Sequence, residues 1–241
     1  MLIHTHALVL RYFPYGDSGM IVHFLTRELG YRSAIVQGLK SKSPVFKRSY
    51  FLPLFEVEMI LYEKPGDQLR RIKEAKPGRI FQKLQTDQSA LAMLYFLAEV
   101  LEKTTREDDI QTDLYDFIIE FLQLCNGSEI RLANLHLYFL FQLTAFLGFA
   151  PEASRLDPPY FWDLREGIFT KNTPQHPDYT NPENSELIHS FIELSLEDIQ
   201  HIQLTGTKRS ELIKEVLNYF YIHRSGMKQV KTLGVLEALF H

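Results

Sequence analysis

The sequence contains a single cysteine, Cys125, among its 241 residues. One cysteine excludes an internal disulfide and is typical of a reducing compartment, where a lone thiol usually packs in a core. No run of about eighteen apolar residues occurs without charge, and the first residues include neither a basic start nor a small-residue cleavage site. These absences predict a cytoplasmic protein that does not enter a membrane.

Catalytic signatures are also lacking. The sequence has no GxxxxGK[ST], GxGxxG, HExxH or GxSxG motif, and no nucleophile stands at short spacing from a base. His4 and His6 could bind a metal, but without a further ligand at fixed spacing a surface pair on an edge strand is favoured. The acidic run 107–109 is interpreted as a helix start rather than a cation site. We therefore expect neither an enzyme nor a cofactor.

Positive charge is unevenly distributed along the chain. Residues 1–79 contain thirteen Lys and Arg against seven Asp and Glu, whereas residues 80–241 contain thirteen against twenty-three. The first part therefore carries +6 and the second −10, although the net charge is only −4. A polyanion would be attracted to the first part and repelled by the second, so the asymmetry predicts a negatively charged partner for residues 1–79.

Residues 38–53, GLKSKSPVFKRSYFLP, contain no acidic residue, and we call them the basic segment. Its cations are Lys40, Lys42, Lys47 and Arg48, and the aromatic residues Phe46, Tyr50 and Phe51 lie among them. Cations that follow a phosphate backbone and aromatic rings that stack on bases together favour single-stranded nucleic acid. Further cations in the same region are Arg11, Arg27, Arg32, Arg70, Arg71 and Lys73. One alternative is a solvated loop. Tyr50 and Phe51 could equally be core residues at the start of the fourth strand, and for Phe51 the core position is favoured.

Residues 2–75 show the pattern of short strands. The predicted strands are HALVLRYF, MIVHFLT, YRSAIVQ, LFEVEMILY and LRRIKEA, and turn residues separate them. In the fourth, Phe55, Val57, Met59 and Leu61 are predicted to face a core, while Glu56, Glu58 and Ile60 face the other side, which begins in water. Five short strands must hide their edges, which favours a small closed barrel of the OB type.

From Gln82 the hydrophobic period becomes helical. Leu91, Leu94, Tyr95, Ala98 and Leu101 form one stripe of a first helix, with Thr86 or Asp87 as its N-cap. DIQTDLYDFIIEFLQLCNG predicts a second, and the nearly all-apolar IRLANLHLYFLFQLTAFLGFAP predicts a buried third helix. YFWDLREGIFT predicts a hairpin, and Lys171 to Asn184 a loop. The remaining helical patterns are SELIHSFIEL, SLEDIQHIQL and TKRSELIKEVLNYFYIHRSG, with Ser195 and Thr207 as caps.

The pattern LVLRYFPYGDSGMIVHFLTRELGYRSAIVQGLKSKSP resembles the start of the RecO family of bacterial recombination mediators. The shared features are a turn at Gly16 and Asp17, the phrase FLTR at residues 24–27, Gly30, and a later Gly followed by basic residues. Later phrases keep the family order, namely PLFEVEMILY, LGFAP, DLREGIFT and MKQVKTLGVLEAL. Each phrase is weakly specific, but their order and spacing cover nearly the whole chain.

The resemblance implies an α+β multidomain protein with an N-terminal five-stranded OB-fold β-barrel and a mostly α-helical C-terminal domain. We expect domains at 1–79 and 80–241, with a small β-hairpin and loop insertion at about 157–184. It also implies a cytoplasmic, nucleoid-associated bacterial protein that binds single- and double-stranded DNA and anneals complementary strands. With RecR, such a protein helps to load RecA on DNA coated by single-strand-binding protein.

Site residues follow from the same resemblance. Lys40, Lys42, Lys47 and Arg48 would contact phosphates, supported by Arg27 and Arg32; we add Arg11, Arg70, Arg71 and Tyr50 from the charge and aromatic pattern. Arg131 is the candidate cation for the C-terminal tail of single-strand-binding protein, although a helix-surface arginine without a role is the alternative. Many family members carry a four-cysteine zinc site after the LGFAP-like phrase. Cysteine is missing there, so we expect no zinc.

A different class of function stays open at this point. The barrel could dock an acidic protein partner without binding DNA, as a pure adaptor, since the charge argument applies equally to any polyanion.

Overall fold

The computed structural model describes residues 1–37, 46–64, 66, 69–105, 110–127, 130–153, 157–199 and 201–240. The chain forms two compact units. The first comprises residues 1–128 and 230–233, and the second comprises residues 129–229 and 234–241. The barrel strands end at Pro77, within the first unit. The domain boundary after residue 79 stays a prediction.

The first five strands close into an OB-type barrel. They are β1 (Leu2–Tyr15), β2 (Gly19–Thr26), β3 (Gly30–Val36), β4 (Glu56–Tyr62) and β5 (Arg70–Pro77). The strand order is β1-β2-β3-β5-β4, and β4 pairs with β1 to complete the circle. All neighbours are antiparallel except β3 and β5. The predicted five-stranded barrel is confirmed, and closure removes the free strand edges.

Alternating side chains fill the barrel. Ala7 and Val9 of β1, Val22 and Phe24 of β2, and Val57 of β4 are fully buried in one cluster. The prediction for the fourth strand was wrong at Glu56, which is only 3% exposed although its neighbour Glu58 is not buried. Hydrogen bonds from the Tyr115 hydroxyl and the Arg79 N–H replace the water that Glu56 loses on burial. The alternation of residues along the strand does not reveal these partners.

The helices that follow among the described residues of the first unit are α1 (Gln82–Thr86), α2 (Gln88–Thr104) and α3 (Thr112–Cys125). Asp87 is the N-cap of α2, and its carboxylate accepts a hydrogen bond from the Ala90 N–H (2.8 Å). The predicted stripe of α2 was wrong at Tyr95, which is 38% exposed. The apolar surface of α2 is wider than the stripe and includes Phe96 and Leu97.

The segment 230–233 returns to the first unit through the carboxylate of Glu99 on α2. That carboxylate accepts hydrogen bonds from the Lys231 N–H (3.0 Å), the Thr232 N–H (2.8 Å) and the Thr232 hydroxyl (2.7 Å). Lys103, one turn later on α2, lies 3.2 Å from the same side chain. One partly buried carboxylate therefore satisfies two successive backbone donors of this segment.

The second unit contains helices and a short hairpin. The elements after α3 are α4 (Leu135–Phe146), β6 (Phe161–Asp163), β7 (Ile168–Thr170), α5 (Pro182–Glu193), α6 (Leu196–Ile199), α7 (Gly206–His223) and α8 (Leu233–Leu239). As expected, α4 is buried over most of its surface. Thr205, not Thr207, caps α7, because its hydroxyl accepts from the Lys208 N–H. Among the described residues of SLEDIQHIQL, the helix covers only Leu196–Ile199.

Aromatic contacts hold the hairpin of the second unit. Trp162 is fully buried and stacks on Phe169 at 6.2 Å between ring centroids, while Tyr160 meets Phe169 edge-on at 5.5 Å. Gly167 adopts a φ of 71° at the predicted turn. The predicted loop is shorter than expected, because α5 begins at Pro182 with Asn181 as its N-cap.

Candidate nucleic-acid interface

The described part of the basic segment has its cations outside and its aromatic rings inside. Lys47 and Arg48 are exposed, and a short 3-10 helix spans Arg48–Phe51. Phe46 and Phe51 are 7% and 0% exposed and belong to the barrel core. The core interpretation of Phe51 is therefore confirmed. Tyr50 is partly buried against the same core.

Two of the predicted DNA contacts in the basic segment, Lys40 and Lys42, lie outside the described residues. The buried rings of Phe46 and Phe51 fix the C-terminal side of the segment to the barrel. Lys47 and Arg48 lie between these two anchors, so their backbone position is determined by core packing. A DNA-contacting role for all four cations stays a prediction.

Arg71 is a third exposed cation of the barrel. It lies on β5, beside Ile35 of the neighbouring strand β3 and Tyr62 of β4. Among the described residues, Lys47, Arg48 and Arg71 have no carboxylate partner. An exposed cation without an ion pair keeps its full charge for an incoming anion.

Arg32 and Arg70 share one carboxylate. Glu63 lies 3.5 Å from Nε of Arg32 and accepts two hydrogen bonds of 3.2 Å from Arg70. The side chains of Arg32 and Arg70 are only 15% and 9% exposed. The cluster carries a net +1, so these two arginines offer less positive charge to a ligand than their number suggests.

Arg27 joins β2 to α3. Its guanidinium donates two hydrogen bonds to the carboxylate of Asp116, at 2.8 and 2.7 Å. This hydrogen bonding raises the pKa of Arg27 and lowers the pKa of Asp116. Thr112 also donates its hydroxyl proton to the Arg27 carbonyl (3.2 Å). The arginine therefore has a structural role in the first unit, and its role as a supporting DNA contact stays a prediction.

Arg11 is exposed near the end of β1. Its side chain is 61% exposed, its nearest carboxylate oxygen is that of Glu102 at 3.7 Å, and its guanidinium lies 5.9 Å from the centroid of the Phe13 ring. A separation of 3.7 Å is longer than a direct charge-assisted hydrogen bond. Arg11 can therefore meet an anion without first breaking a tight pair.

Arg131 belongs to the second unit, just before the turn Leu132–Asn134 that leads into α4. Its side chain is exposed, and it forms no ion pair with any residue that the structure describes. The following residue, Leu132, is partly exposed. A binding site for the tail would need a cation beside apolar surface, and here the apolar neighbour in sequence is Leu132. Binding of a partner tail by Arg131 stays a prediction.

Sequence reasoning missed the buried carboxylate of Glu56. It accepts hydrogen bonds from the Tyr115 hydroxyl (2.9 Å) and from the Arg79 N–H (2.6 Å), and His6 Nδ1 lies 3.4 Å away. A side chain at Gly78 would collide with this carboxylate, with a Cβ at 2.8 Å from its oxygen. In the sequence, the one sign of this contact is Gly78, because only a residue without a side chain lets the backbone come so close to the Glu56 carboxylate.

His4 and His6 lie on one exposed face of β1, as predicted. Together with Glu58, Ile60 and Glu74 they line a groove of about 530 Å³ across β1, β4 and β5. In the described ranges, no three His, Cys, Asp or Glu side chains come together in an arrangement that could hold a metal ion. The expectations of no zinc and no cofactor stay predictions.

The closed barrel, followed by helices and a small hairpin, places the chain in the class of OB-fold proteins. The family models "Recombination protein O N terminal" and "Recombination protein O C terminal" match residues 1–81 and 85–234. The chain belongs to the RecO family of DNA repair proteins. No helix in the described ranges combines the length and apolarity needed to cross a bilayer.

Relatives named "DNA repair protein RecO" match over the full length of both chains. The relative from Christiangramia forsetii is 34% identical over 242 residues, and that from Azobacteroides pseudotrichonymphae is 30% identical over 240 residues. A relative from Bacteroides fragilis is 29% identical over 241 residues. In each case the alignment covers 100% of this chain and 100% of the relative.

Proposed function

We propose that this protein is a recombination mediator that binds single- and double-stranded DNA through its barrel and anneals complementary strands. The observation that carries the proposal is the exposure of Lys47, Arg48 and Arg71 on an OB-type barrel without carboxylate partners among the described residues. Because the chain belongs to a DNA repair family, DNA is the polyanion that we expect these cations to bind. We take residues 1–79 as the DNA-binding domain and 80–241 as the helical domain.

Annealing follows from neutralisation of charge. Two DNA strands repel each other through their phosphates, and a cationic surface that binds both lowers this repulsion. If the barrel neutralises about five phosphates, the affinity for single strands falls with log salt at a slope of roughly −3 to −4. No covalent bond is made or broken in this process, so the proposal requires neither a catalytic residue nor a cofactor.

Partner proteins belong to the same proposal. The second part of the chain carries −10 and repels DNA, which leaves it for protein contacts. We propose that the protein acts with RecR to load RecA, and that Arg131 attracts the acidic C-terminal tail of single-strand-binding protein. The site of action would be the bacterial cytoplasm and nucleoid.

The test compares two double variants with equal loss of charge. Lys47→Ala with Arg48→Ala removes two exposed cations of the barrel, and Lys171→Ala with Lys228→Ala removes two exposed cations elsewhere. At about 0.15 M salt we expect the first variant to bind a labelled single strand more weakly, with a salt slope smaller in magnitude by about 1 to 2, and to anneal more slowly. At that salt concentration the second should bind and anneal as the unmodified protein does.

The quadruple variant of Lys40, Lys42, Lys47 and Arg48 to alanine extends the test to the whole basic segment. We expect it to lose annealing while its circular dichroism spectrum is retained. Normal annealing by the folded quadruple variant would place the DNA site elsewhere. Fluorescence anisotropy at two salt concentrations tests the adaptor alternative, because a protein-only adaptor does not bind an oligonucleotide even at low salt.

A further inference from the structure

The end of β1 carries one cation and two aromatic residues at alternate positions, Arg11, Phe13 and Tyr15, which we call the aromatic stripe. Alternate residues of a strand face the same side of a sheet. A β-bulge between Val9 and Arg11 determines which side this is. Val9 points into the barrel core, so a regular strand would also turn Arg11 inward. The bulge turns the aromatic stripe outward instead, which is a common use of bulges at binding sites.

The pairing of β1 with β2 confirms this direction. Val9 is opposite Phe24, and both belong to the core, whereas Phe13 is opposite Ile21, and both are partly exposed. Tyr15 is opposite Gly19, which has no side chain to cover the tyrosine ring, and Tyr15 is 50% exposed. The aromatic stripe therefore presents ring surface to solvent.

Neighbouring strands extend the aromatic stripe into a row. Ile21 of β2 lies beside Phe13, Ile35 of β3 lies beside Ile21, and Arg71 of β5 lies beside Ile35. The three apolar members are only partly buried, and Arg71 is exposed. The row therefore runs from a ring next to Arg11, across two aliphatic side chains, to a second arginine.

The ring of Phe13 packs against a neighbouring ring of β2. His23 meets it edge-on at 5.3 Å with an interplanar angle of 90°, and the Tyr31 hydroxyl and Glu102 in turn lie 2.7 and 3.3 Å from His23 Nδ1. A ring that is already oriented loses little conformational entropy when a flat ligand stacks on it. These partners prepare the ring for such a contact.

We propose that the aromatic stripe is a stacking platform for the bases of a single nucleic-acid strand. The Phe13 and Tyr15 rings next to Arg11, with Arg71 at the far end of the row, fit an alternation of flat bases and phosphates, because stacking needs only a π-face and each phosphate needs a cation. This inference rests on the proposed function and adds base contacts to the phosphate contacts of the basic segment. The face of β2 and β3 and the β1–β2 loop are where OB-folds commonly bind oligomers.

The experiment compares two labelled oligonucleotides of equal length, one of thymidines and one of abasic sites. The test variant is Phe13→Leu with Tyr15→Ala, and the control is Tyr221→Ala, which removes a partly exposed aromatic ring of α7 in the second unit. We expect the test variant to bind the thymidine strand at least about fivefold more weakly and the abasic strand about as well as the unmodified protein does. The control should bind both strands normally.

The outcomes distinguish failure of the stacking platform from failure of the proposed DNA-binding function. Normal thymidine binding by the test variant, together with weak binding by the Lys47 and Arg48 double variant, overturns the platform but leaves the proposed function intact. Equal losses for both oligonucleotides also overturn it, since the contact would then be to the backbone. Failure of the unmodified protein to bind either strand overturns both claims.

A fluorescence measurement of stacking keeps the proposal testable if the double variant does not fold. If Phe13→Leu unfolds the barrel, Tyr15→Ala alone is used with a strand that contains 2-aminopurine, whose fluorescence falls when it stacks on a ring. Phe13→Tyr keeps a flat ring and should restore the affinity that Phe13→Leu loses. Unchanged quenching in folded Tyr15→Ala, or no recovery in folded Phe13→Tyr, contradicts the platform.

Discussion

At the scale of single residues, Glu56 shows how one buried charge connects the barrel to α3. Burial raises the pKa of Tyr115, so its hydroxyl stays protonated and donates to Glu56 across the physiological range. Glu56→Ala would leave the Tyr115 hydroxyl and the Arg79 N–H without their acceptor. We expect a loss of about 2 to 3 kcal/mol in the free energy of unfolding, measured by urea titration.

The matched control is Glu58→Ala, two residues later on the same strand. Glu58 pairs with Lys76 at 2.6 Å near the surface, and exposed ion pairs contribute about 0 to 1 kcal/mol. We expect this variant to unfold at nearly the normal urea concentration. Similar losses for both variants would mean that burial of Glu56 does not determine its contribution.

Residue-level errors of the sequence analysis have one physical origin. Period-two alternation places Glu56 on the outer face correctly, but the atoms that cover it belong to Tyr115 and Arg79, which are distant in sequence. For the same reason the sequence shows how many cations the barrel carries, but not which of them are already paired with a carboxylate. Arg27 meets Asp116, a residue 89 positions away, and no local pattern records such a pair.

At the scale of elements, the segment 230–233 depends on α2 through Glu99. Desolvation by burial raises the pKa of Glu99, but hydrogen bonds from Lys231, Thr232 and Lys103 outweigh it and lower the pKa overall. A carboxylate with a lowered pKa stabilises the folded state above its unfolded pKa, and this contribution is lost as pH falls through the lower folded pKa. Docking of the segment should therefore weaken under acidic conditions, below the ordinary range of a glutamate.

Hydrogen exchange measures this directly. In Glu99→Ala we expect the amides of Lys231 and Thr232 to exchange at least about tenfold faster, because each loses a charge-assisted acceptor. Glu120→Ala, which removes an exposed carboxylate of α3, is the control and should leave both rates unchanged. Equal protection in Glu99→Ala would show that other contacts hold the segment.

Elements were more predictable than their ends. The five strands followed from alternation and turn residues, because a barrel core needs one face of every strand. Cap positions were less certain where two candidates lie close together: the sequence predicts Thr207 as the cap of α7, but Thr205, two residues earlier, accepts from the Lys208 N–H. The bulge after Val9 was not predictable, since it depends on the pairing with β2.

At the scale of the whole molecule, long-range repulsion between DNA and the acidic second part of the chain should act only at low salt. Charges further apart than a Debye length are screened, and this length is about 30 Å at 0.01 M but about 8 Å at 0.15 M. The acidic residues Glu166, Glu186 and Glu197 are exposed in the second unit and have no ion pair with another described residue. Changing all three to glutamine should raise the affinity for a single strand at 0.01 M salt and leave it unchanged at 0.15 M.

The variant that lacks Lys171 and Lys228 should show the opposite change at low salt and again none at 0.15 M. Anisotropy titrations across this salt range measure both variants with the same oligonucleotide. An effect of equal size at both salt concentrations would mean that these residues touch DNA directly, because only short-range contacts escape screening. The second unit would then belong to the DNA site, and the division between a DNA-binding barrel and a DNA-repelling helical part would be wrong.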